Sequence, residues 1–294
     1  MQLKHSLPAS LLTKQVKILL VGAGGTGSQI VPKLVNLHRA MRALGHPHGL
    51  QVSVVDPDVV SPANIGRQNF YPGDVGSFKS DVLVNRANMA LENAVWSSYV
   101  QRIDTSAKMG DFDIVIGAVD NRAARLAILR GLEAPSGGIR YWLDLGNRKA
   151  DGQVVLGQVS SSKRVTDDKL RLPHVGELYP ELIDPAQEEK DDTPSCSLAE
   201  ALSKQSLFIN PTLADCAGNI LWQLFTQGWL EVHGCFVNLE AMMVLPLKVD
   251  PEVWERFGVL RDGRRHRVVR ASLRAKRIAK IGKDSEAPEI ESGP

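Results

Sequence analysis

Cysteine is scarce in this chain and never paired in the sequence: Cys196, Cys216 and Cys235 are the only three, with no C-x-x-C among them. A disulfide framework and a structural zinc site are therefore not expected, and a reducing compartment fits. Long apolar runs are missing too. No segment approaches the roughly 18 apolar residues that span a bilayer, and the opening MQLKHSLPASLLTKQ lacks an apolar core followed by a cleavage site. The expectation is a cytoplasmic protein without a membrane span. His5, His38, His46, His48, His174, His233 and His266 show no ligand or triad spacing, so no chemistry is assigned to histidine. Internal repeats are absent.

What the chain does have is enough apolar material, 43% of 294 residues, to bury a substantial core. One large α/β domain with a long insertion is the reading. The formal charge of +2 hides an asymmetry, because Arg261–Lys283 carries ten Lys/Arg against the single acid Asp262. Four acids come after it, Asp284, Glu286, Glu289 and Glu291, leaving residues 1–260 mildly acidic. A basic stretch of this kind is read as a solvated tail rather than a nucleic-acid site, and Gly282–Pro294 as disordered.

Gln15–Val21 is an apolar, β-branched run that stops at glycines, and Gly25–Leu44 then shows helical spacing through Ile30, Leu34, Leu37 and Met41. Leu50–Val55 is a second strand ending in Asp56, after a Gly/Pro/His-rich connection. Together they form a βαβ unit with a parallel strand pair. Asp58–Phe78 reads as an ordered loop with short helices, and Lys79–Leu91 as a helix. Next come Ser98–Ile103 and Asp113–Val119 as strands, Ala123–Leu132 as a helix, and Arg140–Leu145 and Gln153–Val159 as strands. Ser160–Ser195 loses apolar periodicity and reads as a mobile loop or crossover. Helical spacing returns over Ser197–Phe225, with a break expected near Asn210–Pro211, and Val232–Asn238 with Met242–Val249 predicts a closing hairpin. The fold class is α/β: a Rossmann-like, doubly wound, mainly parallel sheet with a crossover loop, then a C-terminal helix and β-hairpin.

The chemistry begins at Gly22-Ala23-Gly24-Gly25-Thr26-Gly27, between a strand and a helix. Glycines there allow close approach of the backbone, and helix N–H groups face an incoming phosphate. The turn alone suits NAD, FAD or ATP equally. Asp56, at the end of the next strand, stands where an acid hydrogen-bonds ribose hydroxyls.

The block that begins at Asp56 is more specific. Asp56-Pro57-Asp58-Val59-Val60-Ser61-Pro62-Ala63-Asn64-Ile65-Gly66-Arg67-Gln68-Asn69-Phe70 resembles the D-x-D-x-V-x-x-S-N-L-x-R-Q-x-F block of the ThiF, MoeB and ubiquitin-activating enzymes, with the serine displaced to Ser61. Gly76-Ser77-Phe78-Lys79 resembles the family's G-x-x-K, and Asp120-Asn121-Arg122-Ala123-Ala124-Arg125 its D-N-x-x-x-R. The resemblance is strong from Val16 to Arg125 and a matter of layout beyond. The glycine turn, the Leu44-Gly45-His46-Pro47 connection and Asn64-Ile65-Gly66-Arg67-Gln68 look most like the ThiF proteins of PRTRC-type mobile-element systems.

The resemblance implies ATP- and Mg²⁺-dependent adenylation of the C-terminal carboxylate of a small ubiquitin-like, β-grasp protein by a homodimer. Residues 1–260 would be the ThiF-type adenylation domain, with its crossover loop at about 160–196, and 261–294 a basic then acidic tail. Gly22, Gly24, Gly25, Gly27, Asp56, Asp58, Asn64, Arg67, Gln68, Lys79, Asp120 and Asn121 would bind ATP, with Asp120 on Mg²⁺. A planar guanidinium at Arg67 can grip phosphate oxygens bidentately and stabilise a pentacoordinate phosphorus. Zinc-binding members carry two C-x-x-C pairs, so no zinc is expected here. Homodimeric members offer an N-terminal arginine to the partner's site, whereas the first arginine here is Arg39. Arg67, Arg122 or Arg125 would have to serve instead, or the dimer would differ; the alternative role for Arg125 is to hold the loop rather than touch substrate.

Cys196, in Thr193-Pro194-Ser195-Cys196-Ser197, resembles the crossover cysteine that attacks the acyl-adenylate to form a thioester. Its place before a helix would lower a thiol pKa. Cys216 and Cys235 lie in apolar text and read as core. Two other readings stay open at this stage: a non-catalytic nucleotide-binding scaffold, and an NAD or FAD oxidoreductase supported only by the glycine turn.

Overall fold

The computed structural model describes residues 3–92, 95–133, 139–160, 170–187 and 205–259. After a two-residue strand β1 (His5–Ser6), the chain runs β2 (Val16–Val21), α1 (Gly25–Ala43), β3 (Leu50–Val55), α2 (Lys79–Ala90), β4 (Ser97–Tyr99) and β5 (Ile114–Gly117). It continues through α3 (Arg122–Glu133), β6 (Ile139–Asn147), β7 (Asp151–Ser160), α4 (Val175–Leu178), α5 (Ile209–Gln227), β8 (Trp229–Leu230), β9 (Val232–Asn238), β10 (Met243–Lys248) and α6 (Pro251–Glu255).

Eight strands form one sheet in the order β10-β9-β7-β6-β5-β2-β3-β4. From β4 to β6 all neighbours are parallel; from β6 to β10 they are antiparallel. Alternate residues of a strand point to opposite faces, yet Ile18, Leu19, Leu20 and Val21 are all buried, as are Ile114, Val115 and Ile116. Both faces of the parallel half are therefore covered, which is why its strands read as continuous β-branched runs rather than alternating ones. In addition, β1 pairs with β8 outside the main sheet, His5 opposite Leu230.

The sheet places the site through its strand order. After β2 the chain moves to β3 and β4 on one side, then returns to β5 on the other. The carboxyl ends of β2 and β5 thus lie at the topological switch point, where open α/β sheets leave a crevice for ligands.

Near Asn210–Pro211, where a break was expected, residues 205–208 are not helical, and α5 starts at Ile209 and passes through Pro211. Pro211 is the third helical residue, and an N–H in that turn has no intrahelical acceptor to lose. The long segment expected to be a mobile loop contains a packed part at 170–187: Leu172, Val175 and Leu178 are buried, and Gln158 and Leu172 exchange hydrogen bonds. Its apolar residues were too few to show a period. Cys196 and the 261–294 tail lie outside the described residues. No helix among the described residues is long and apolar enough to cross a membrane.

Candidate functional site: a cleft at the carboxyl end of the sheet

Each glycine of the turn after β2 has its own cause. Gly22 takes φ +93°, and a Cβ there would lie 2.5 Å from the carbonyl oxygen of Ala118. A Cβ on Gly27 would come within 1.9 Å of the Gly22 carbonyl, so Gly27 is a packing requirement inside the first turn of α1. Gly24 has open space around its missing side chain and lines the cleft, which is room left for a ligand. Gly25 packs against the side chain of Asn210.

The cleft, about 1100 Å³, is lined from every parallel strand: Gly22–Thr26 after β2 (all but Ala23), Asp56–Asp58 after β3, Gln101–Thr105 after β4, Ala118–Asn121 after β5, and Leu145 and Asn147 on β6. The structure brings together Gly22, Gly24, Gly25, Asp56, Asp58, Asn64, Arg67, Gln68, Lys79, Asp120 and Asn121 around this one space. Gly27 supports it from behind.

Asp56 is buried and braces the glycine turn: its carboxylate accepts from the backbone N–H of Ala23 at 2.6 Å and of Asp58 at 2.8 Å. Burial raises its pKa, while those two N–H bonds and Lys79 pull the other way. Each oxygen keeps a second lone pair for a ligand. Lys79, the first residue of α2, is only 6% exposed, and its Nζ meets Asp58 Oδ2 at 2.9 Å. Asn64 spends its side-chain oxygen on the N–H of Ser61, shaping the turn that delivers Arg67.

Arg67 is half-buried, and desolvation lowers its pKa against the attraction of Asp120. Its Nε is buried with no hydrogen-bond partner, and so is Oε1 of Gln68. Buried polar groups are normally paired, and an unpaired one costs on the order of 1–3 kcal/mol. Both residues line the cleft, while these two atoms themselves are closed off from it. Asp120 is exposed just past β5, and accepts a hydrogen bond from Asn121 Nδ2 at 3.1 Å. The side-chain oxygen of Asn121 in turn caps α3 through the N–H of Ala124.

Sequence reasoning missed Asn147, Gln205 and Asn210, which line the wall of the cleft formed by β6 and α5. Asn210 Oδ1 accepts from Thr26 Oγ1 at 2.9 Å and from Asn147 Nδ2, and Asn210 Nδ2 donates to Gln205 Oε1 at 3.0 Å. The one local signal was the Asn210–Pro211 pair, which drew attention only as a helix boundary.

A glycine turn, acids after β3 and β5, the strands that flank β2, and the half-buried Arg67 line one crevice at the switch point of a doubly wound α/β domain. Comparison with known proteins identifies its kind. The chain belongs to the ThiF family, whose model matches residues 10–245. It is 28% identical over 166 residues to the adenylyltransferase and sulfurtransferase UBA4 of Candida albicans, an alignment covering 53% of this chain and 34% of that one. It is 30% identical over 119 residues to a probable molybdopterin-synthase adenylyltransferase of Porphyra purpurea, covering 39% of this chain and 28% of that one. The chain thus matches about a third of the length of these relatives. Among solved structures, PaaA superposes with a TM-score of 0.54 at 17% identity, and E. coli MccB with ATP with 0.53 at 13%. Each alignment covers 80% of this chain and 64% of the other, a likeness of fold.

Proposed function

We propose that this domain uses ATP to adenylate the C-terminal carboxylate of a small β-grasp protein. The observation that carries the reading is the joint placement of Arg67, Gln68, Lys79 and Asp120 around one cleft, with Arg67 Nε and Gln68 Oε1 buried and unpaired. A desolvated guanidinium needs an anion, and triphosphate supplies one. The adenylyltransferase names of the relatives agree with it.

In the reaction, a carboxylate oxygen of the partner attacks the α-phosphorus of ATP. The new O–P bond forms as the bond from that phosphorus to the bridging oxygen breaks, and the electron pair leaves with pyrophosphate. In this reading Arg67 balances charge on the pentacoordinate phosphorus, and Lys79 balances polyphosphate charge. Asp120 is a hard oxygen ligand at a strand end and fits Mg²⁺, which commonly takes one or two carboxylates together with phosphate oxygens and would supply charge neutralisation.

Capture of the product falls to Cys196 in this reading. Its thiolate attacks the acyl carbon, the C–S bond forms, and the carbon–oxygen bond to AMP breaks. The resemblance to PRTRC-type ThiF proteins supports a β-grasp partner encoded nearby and a homodimer in a reducing cytoplasm.

The test is ATP–pyrophosphate exchange by purified protein with its candidate β-grasp partner. Exchange that requires both partner and Mg²⁺ is the expected result. Binding of NAD(H), or nucleotide binding without exchange, would sink the reading in favour of an oxidoreductase or a scaffold.

A further inference from the structure

Gln205 carries no local sequence signal, yet it joins the two walls of the cleft. Arg67 NH1 donates to its Oε1 at 2.9 Å, and the same oxygen accepts from Asn210 Nδ2 at 3.0 Å. Asn210 continues the chain to Thr26 Oγ1 in the glycine turn. Gln205 is itself held from the β6–β7 turn, where its Nε2 donates to the Arg148 carbonyl at 3.5 Å and the next residue's N–H to the Lys149 carbonyl at 2.6 Å.

A guanidinium is planar, so fixing NH1 also fixes the plane in which Nε lies. Nε is the nitrogen left buried and unpaired. The identity of the acceptor matters as much as its position. A neutral amide oxygen takes one N–H of Arg67 and leaves the positive charge intact, whereas a carboxylate there would form an ion pair and spend it.

We propose that Gln205 is a positioning residue for the polyphosphate: it aims Arg67 into the cleft while leaving its charge available. The inference rests on the reading of the cleft as an ATP site.

Titration calorimetry of MgATP onto the full chain tests it through a double-mutant cycle. Gln205→Met is expected to weaken binding about 10-fold, the size of one hydrogen bond to a charged group. Arg67→Met should weaken it more, and the double variant should bind no more weakly than Arg67→Met alone, because Gln205 acts only through Arg67. Gln205→Glu, which keeps the shape and adds a charge, should bind more weakly than Gln205→Met. Gln205→Asn, a shortened amide, repeats the cycle should Gln205→Met not fold. Wild-type affinity in Gln205→Met, or penalties that multiply in the double variant, would overturn the proposal. Wild-type protein that binds MgATP without exchange overturns adenylation alone. Failure of wild-type protein to bind MgATP overturns both.

Discussion

Arg125 and Asp144 form an ion pair shut off from water: Nε donates to Oδ1 at 3.0 Å, with side chains 7% and 0% exposed. The remaining reach of Arg125 goes to the carbonyl of Val119, from NH2 at 3.0 Å. A residue on α3 and one on β6 thereby clamp the turn that presents Asp120. Burial raises the Asp144 pKa and Arg125 opposes it, so the carboxylate depends on its partner. Arg125→Met is expected to cost about 3–5 kcal/mol in urea unfolding, because it strands a buried charge. Arg125→Met combined with Asp144→Leu should recover much of that loss. A double variant no more stable than the single one would show that the pair's packing, not its charge balance, matters.

The glycine turn separates stability from binding. Gly27→Ala drives a Cβ to 1.9 Å from a carbonyl oxygen and forces the backbone to move. A loss of about 1–3 kcal/mol is expected, as for overpacked cores. Gly24→Ala meets no atom within 4 Å, so its penalty should be smaller and should fall on MgATP affinity. Melting curves and calorimetry of the two variants check the contrast. Equal destabilisation would show that Gly24 is also a folding requirement.

The order of the chemistry can be read from two variants. Asp120→Asn should lower pyrophosphate exchange by about 100-fold or more, since charge neutralisation at phosphorus is commonly the largest catalytic contribution. Cys196→Ala should leave exchange intact and abolish a thiol-sensitive adduct with the partner protein, seen on a non-reducing gel. Loss of exchange in Cys196→Ala would assign that thiol to structure.

A fourth expectation concerns acid. His233 is fully buried; its Nδ1 meets the Leu156 carbonyl at 2.7 Å, so Nε2 must accept from Trp254 Nε1 at 3.1 Å. Only the neutral ring can do both, and burial takes its pKa from 6.5 to about 4. The unfolded chain therefore binds the proton more readily between those values. Stability is fully present above pH 6.5 and is lost as pH falls toward 4, by about 3 kcal/mol in all. Burial lowers the pKa of His38 and His174 as well, so the measurement is the difference between wild type and His233→Gln in urea midpoints at pH 7 and 4.5. Identical slopes for the two proteins would remove His233 as the cause.

Most of the parallel half was legible in sequence. Leu50–Val55 has the predicted bounds, and α1 and α2 end within a residue of their periodic patterns, because burial on both strand faces and one helix face leaves a strong apolar signal. Arg67, Lys79 and Asp120 were named from the family resemblance, and the fold brings all three to one cleft; Arg125 was expected to hold a loop, as it does. The exact start of α5 was not legible, since proline in a first helical turn and proline breaking a helix look alike in sequence. Gln205 was not legible either. Its acceptor oxygen gains meaning only when Arg67, far earlier in the chain, is brought beside it.

The sequence by itself determined the doubly wound class and the glycine turn, because apolar period and residue order are local properties. The tertiary structure decided which polar groups are spent and which are free. Asp56 is committed to the turn, Arg125 to Asp144, and one nitrogen of Arg67 to Gln205, while the buried Arg67 Nε and Gln68 Oε1 stay unpaired. Hydrogen-bond satisfaction depends on neighbours remote in sequence, and only the closed sheet brings those neighbours into contact.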